Sequence, residues 1–103
     1  MIIALTTVPT LESAQKIGNL AVEQKLSACV NRIKIDAATY QWENAIHNDA
    51  EYLLMFKTSK EQSTQLEEMV CALHPYDTPM FCLIKTEYVN KAYEDWLTSS
   101  LGK

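Results

Sequence analysis

Few side chains in this chain can do chemistry: three cysteines, Cys29, Cys71 and Cys82, two histidines, His47 and His74, and one arginine, Arg32. Thiolates and imidazoles are donors for soft or borderline metal ions. Three widely separated cysteines close no disulfide framework and form no C-x-x-C pair, so reduced thiols in a core are expected. His47 stands in the polar stretch Asn44 to Asp49, read here as a turn. With Asp49 and Glu51 nearby it could hold a metal weakly, but a solvated loop is the simpler reading. No Ser/His/Asp or Cys/His pair carries a supporting signature for nucleophilic catalysis. The two glycines, Gly18 and Gly102, fall in a helical pattern and at the tail, so no glycine-rich loop cradles a phosphate. An enzyme is not expected.

The totals limit the partners. Thirteen acidic against nine basic residues give a formal charge of -4, which leaves no basic stripe for a nucleic acid. The opening Met1-Ile2-Ile3-Ala4-Leu5 is too short an apolar run for a signal or a membrane span, which predicts a cytoplasmic protein that meets no membrane. A length of 103 residues predicts one domain, residues 1–103, fully ordered, with 48% hydrophobic residues to build its core.

The elements that must position these residues follow from periodicity. Residues 2–7 are apolar and rich in β-branched side chains, the pattern of a buried strand. Thr10 caps a helix of about 15 residues, with Leu11, Ala14, Ile17, Ala21 and Val22 at helical spacing. From Cys29 the pattern alternates: Cys29, Ile33 and Ile35 occupy odd positions, then Ala38, Tyr40 and Trp42 even ones. That change of parity near Asp36 and Ala37 predicts a bulge or bend, in one long strand or between two short ones. Glu43-Asn44-Ala45 is the hairpin turn, and Glu51–Lys57 the returning strand. Ser59 and Gln62 form a capping box for a second helix that ends at His74, before Pro75. Met80–Ile84 is a final core strand, and Asn90 caps a last helix with Tyr93, Trp96, Leu97 and Leu101 on one stripe. The order βαββαβ plus a helix predicts an α+β, ferredoxin-like split-βαβ sandwich with helices on one face. The other, apolar face is then expected to bury itself in self-association.

Six segments carry a family resemblance: Thr6-Thr7-Val8-Pro9, Lys25–Asn31, Tyr40-Gln41-Trp42-Glu43, Phe56-Lys57-Thr58, His74–Pro79 and Tyr93–Leu97. In type and order they resemble the CutA family of divalent-cation tolerance proteins. The resemblance implies a homotrimer similar in architecture to PII signalling proteins, with the long bent hairpin reaching across to neighbouring subunits. It also implies a part in the response to metal ions, copper above all, and no organic cofactor is expected. Two departures fall at bends: Ile35-Asp36 stands where Pro-Gly is usual, and Asn44 where Gly is usual.

The resemblance marks two sets of candidate residues. Cys29 and His74 match positions tied to copper or another divalent cation. Further donor positions hold Thr6 and Leu73, so one subunit does not contain a full ligand set. Alternatively, a small molecule binds in a cleft between subunits lined by Tyr40, Trp42, Glu43, Lys57, His74, Tyr76 and Thr78, which join aromatic surface to polar groups. Tyr40, Trp42 and Tyr76 are equally readable as packing anchors of the trimer, and Glu43 with Lys57 as an ion pair without further role. Trp96 and Tyr93 are most economically core residues of the last helix.

Overall fold

The computed structural model describes residues 1–102. In chain order it has β1 (Ile2–Val8), α1 (Leu11–Glu23), β2 (Cys29–Trp42), β3 (Ala45–Thr58), α2 (Lys60–Leu73), β4 (Cys82–Lys85) and α3 (Lys91–Ser100). The four strands make one antiparallel sheet in the order β2-β3-β1-β4, the ferredoxin-like arrangement expected from the element order.

Alternation along β1 and β3 divides the sheet into two faces. Ala4, Thr6 and Val8 of β1 and Leu54, Phe56 and Thr58 of β3 are buried on one face, against Ala14, Ile17 and Ala21 of α1 and Leu66 and Val70 of α2. Each large apolar side chain sealed there contributes about 1.5–3 kcal/mol. The opposite face carries Ile3, Leu5, Leu53 and Met55, half-buried, beside Ile33 and Ile84, which are exposed.

Local chemistry sets the element ends. The Thr10 hydroxyl accepts from the Ser13 N–H at 3.1 Å and opens α1. That helix closes on Lys25, whose φ of 58° lets Leu26 donate to the Ala21 carbonyl and Lys25 to that of Val22. The capping box at Ser59 is made differently from expectation: its hydroxyl meets the Gln62 side chain and takes no backbone N–H of the first turn. The α2 helix ends at His74, whose extended backbone suits the following proline. Asn90 caps α3 by position, without a side-chain bond.

The central hairpin departs most from the sequence reading. The register shifts between Ile35 and Ala38, where parity changed, and β2 continues as one strand. Glu43 and Asn44, at φ of 51° and 63°, form a two-residue loop of the I′ kind, which matches the right-handed twist of the arms. The second arm begins at Ala45, not near Glu51. The polar stretch around His47 is therefore ladder rather than loop, because its backbone pairs with Thr39–Trp42. This arm stretches the chain to 46 × 25 × 20 Å and a radius of gyration of 14.4 Å, against about 13 Å for a compact chain of this length. Finally, β4 is a short edge strand with Leu83 and Ile84 each 47% exposed, not a core strand.

Candidate functional site

His74 sits where α2 meets the loop leading to β4, and only 9% of it is exposed. The Tyr76 N–H donates to its Nδ1 at 3.1 Å, which places the ring proton on Nε2. Nε2 donates to the Thr7 carbonyl at 2.9 Å and lies 3.1 Å from Thr6 Oγ1, whose hydroxyl donates to the Met80 carbonyl at 2.6 Å. One neutral imidazole thus ties β1 to both ends of the loop. Burial lowers its pKa from the ordinary histidine value, against opposing pulls from the Thr7 carbonyl and Glu51.

The loop so held forms one wall of an open cleft of about 490 Å3. Ala38, Tyr40 and Trp42 of β2 and Glu51 of β3 face the loop residues Pro75–Thr78 across it. The bulge makes this possible by placing the even positions Ala38, Tyr40 and Trp42 on the same side of the hairpin as Ile33, Ile35 and Glu51. The Tyr76 hydroxyl donates to Glu51 at 2.6 Å, and the Tyr40 hydroxyl to Asp49 at 2.5 Å. Burial, followed by the Glu51 bond, pushes the Tyr76 phenol well above its usual range. The Asp49 bond raises that of Tyr40. Both carboxylates act on both phenols, so the two pairs share one electrostatic field.

Of the residues singled out from sequence, Tyr40, Trp42, Tyr76 and Thr78 come together here, with His74 behind the loop. Glu43 is at the exposed hairpin tip. Lys57 lies at the other end of β3, bonded to Asn31 and 3.8 Å from Cys29 Sγ. The two therefore form no pair within the chain. Ala38, Glu51, Pro75 and Asp77 complete the lining. Pro75 and Asp77 belong to the His74–Pro79 segment, but Glu51 joins only through a hairpin register that sequence does not announce.

Cys29 and His74 do not meet. Cys29 pairs with Lys57 and shares its face, whereas His74 reaches Thr6 on the helix-covered face. Thr6, at one of the further donor positions, lies beside His74 but offers a hydroxyl already engaged. Both His74 nitrogens are occupied as well, so the pair does not fit a copper site within one chain. His47 stacks on Tyr40 at 5.3 Å and lies 3.3 Å from the Trp42 carbonyl. No group of three or more His, Cys, Asp or Glu side chains is gathered for a metal among the described residues. Nor is any helix among them long and apolar enough to cross a membrane.

Comparison with known proteins places this arrangement. A family described as CutA1 divalent ion tolerance protein matches residues 2–100. The divalent-cation tolerance protein CutA of Thermus thermophilus is 37% identical over 100 residues, 97% of each chain. The crystal structure of the divalent ion tolerance protein CutA1 of Ehrlichia chaffeensis superposes with a TM-score of 0.93 at 33% identity, covering 97% of this chain and 94% of that one. The periplasmic divalent cation tolerance protein CutA of Archaeoglobus fulgidus gives 0.92 at 33% identity, covering 98% and 99%. Sequence and fold agree from the first strand to the last helix, and the chain belongs to the CutA1 family of divalent ion tolerance proteins.

Proposed function

We propose that this chain serves the divalent-cation response of its family as a homotrimer without catalysis of its own. Its working site, on this reading, is the cleft between the outer hairpin and the loop that His74 holds. The observation that carries it is the convergence of Tyr40, Trp42, Glu51 and Tyr76 on one concavity. Its volume of about 490 Å3 lies within the range of small-ligand sites. Residues 1–103 act as one domain, and the trimer is supported by the apolar sheet face opposite α1 and α2, where Ile3, Leu5, Leu53 and Met55 are half-buried and Ile33 exposed. The cytoplasm remains the proposed compartment on the strength of three free thiols, although the Archaeoglobus relative is periplasmic.

Light scattering tests the assembly: a mass about three times the 11.7 kDa of one chain is expected, and a mass near 11.7 kDa refutes it. Ile33→Glu, on the open face, is expected to shift the mass toward one chain. The site itself is tested by Trp42→Ala, which should abolish binding of any cleft ligand while leaving the trimer intact.

Direct binding of copper or another divalent cation at Cys29 is a second reading. It is favoured by a half-buried thiol on the open sheet face, where copies of the chain would meet, beside the Lys57 ammonium. Because His74 is occupied, the remaining donors would come from a second copy.

A further inference from the structure

We propose that the cleft binds an organic cation, an alkylated ammonium or a guanidinium, and not an anionic phosphate compound. The inference rests on the reading of the cleft as a ligand site and names the chemistry of what enters it. The lining holds Glu51 and Asp77 and no lysine or arginine. Asp49 stands one step behind, bonded to Tyr40. Among the described residues Asp49 and Glu51 bond to the two phenols, and no lysine or arginine pairs with either.

The aromatic walls complete the argument. Within the single chain Tyr40 and Trp42 keep 44% and 56% of their surface exposed although they flank a concavity, and Tyr76 faces them from the loop. Electron-rich ring faces attract an ammonium or guanidinium, most strongly when a carboxylate lies close enough to balance the charge. The phenols reinforce this, since each donates its proton to a carboxylate and presents no donor hydrogen to the ligand. A phosphate would meet two carboxylates and no lysine or arginine in the lining. A bare divalent ion would find Glu51 Oε2 already accepting from Tyr76, and no group of three His, Cys, Asp or Glu donors gathered there among the described residues. The space exceeds one ammonium group, so the cation carries an apolar body that lies along Trp42.

Titration calorimetry of the assembled protein with tetraethylammonium, agmatine, ATP and zinc chloride tests this. One or both organic cations should bind, more weakly as salt is raised, while ATP does not. Glu51→Gln keeps an acceptor for the Tyr76 hydroxyl and therefore the loop, and should weaken binding at least tenfold. Trp42→Ala should weaken it to a similar degree, with an unchanged melting curve in both variants. ATP binding that Trp42→Ala abolishes, with neither cation bound, would overturn the cation assignment and leave the cleft a ligand site. Zinc binding that depends on Glu51, without the cations, would overturn it in favour of a metal. If no probe binds and Tyr40 and Trp42 are solvent-protected only in the trimer, both the assignment and the cleft reading fall, because a second copy fills the space.

Discussion

Removing the His74 ring should loosen the loop from β1 by an amount the hydrogen bonds determine. The imidazole accepts from the Tyr76 N–H and donates to the Thr7 carbonyl, and each bond contributes about 1 kcal/mol net. In His74→Ala both bonds are lost and the Thr7 carbonyl and Tyr76 N–H are left without these partners in a half-buried position. The cost is about 2–4 kcal/mol, a large fraction of the ~5–15 kcal/mol typical of a domain. His74→Asn places an acceptor near the Nδ1 position and His74→Gln a donor near Nε2, so each should recover about 1 kcal/mol. Since burial lowers the His74 pKa, the unfolded chain binds its proton first as pH falls below about 6.5. Stability from this group is therefore complete above that pH and declines below it, by at most about 1.4 kcal/mol per unit. Urea unfolding followed by circular dichroism between pH 5 and 8, at one protein concentration and in a His47→Asn background, measures both effects. The reasoning fails if His74→Ala stays within 0.5 kcal/mol of the parent, or if the decline below pH 6.5 persists in His74→Asn.

Three further outcomes are expected. In copper titrations Cys29→Ala should lower the binding stoichiometry while His74→Ala leaves it unchanged, and equal loss in both would restore the paired site. Lys25→Gly should raise stability by roughly 0.5 kcal/mol, since a side chain in the left-handed region costs more than glycine's extra unfolded freedom; calorimetric melting decides it. Asn44→Gly at the hairpin tip should be neutral or stabilising by less than 1 kcal/mol, whereas Asn44→Val should destabilise because a β-branched residue resists a φ of 63°.

Much of this was legible before any coordinates. The parity change between Ile35 and Ala38 announced the bulge, Pro75 announced the end of α2, and the helical spacing of Ala14, Ile17 and Ala21 announced the buried stripe of α1. His47, Asn48 and Asp49 have turn chemistry, yet cross-strand pairing with Ala38, Thr39 and Tyr40 overrides it and extends the hairpin beyond Asn44. The apolar run Met80–Ile84 reads as a core strand yet forms an exposed edge, because apolar sequence alone does not distinguish a covered strand from an edge strand.

The sequence by itself determined the element order, the sheet faces and the family, because these depend on periodicities of two and 3.6 residues and on motifs local in the chain. Only the tertiary structure decided the site. Glu51 meets Tyr76 across 25 positions and Thr6 meets His74 across 68, and such contacts come from strand register and loop packing, which local pattern does not encode. The same packing set Cys29 and His74 on opposite faces and gathered Tyr40, Trp42 and Glu51 around one cleft.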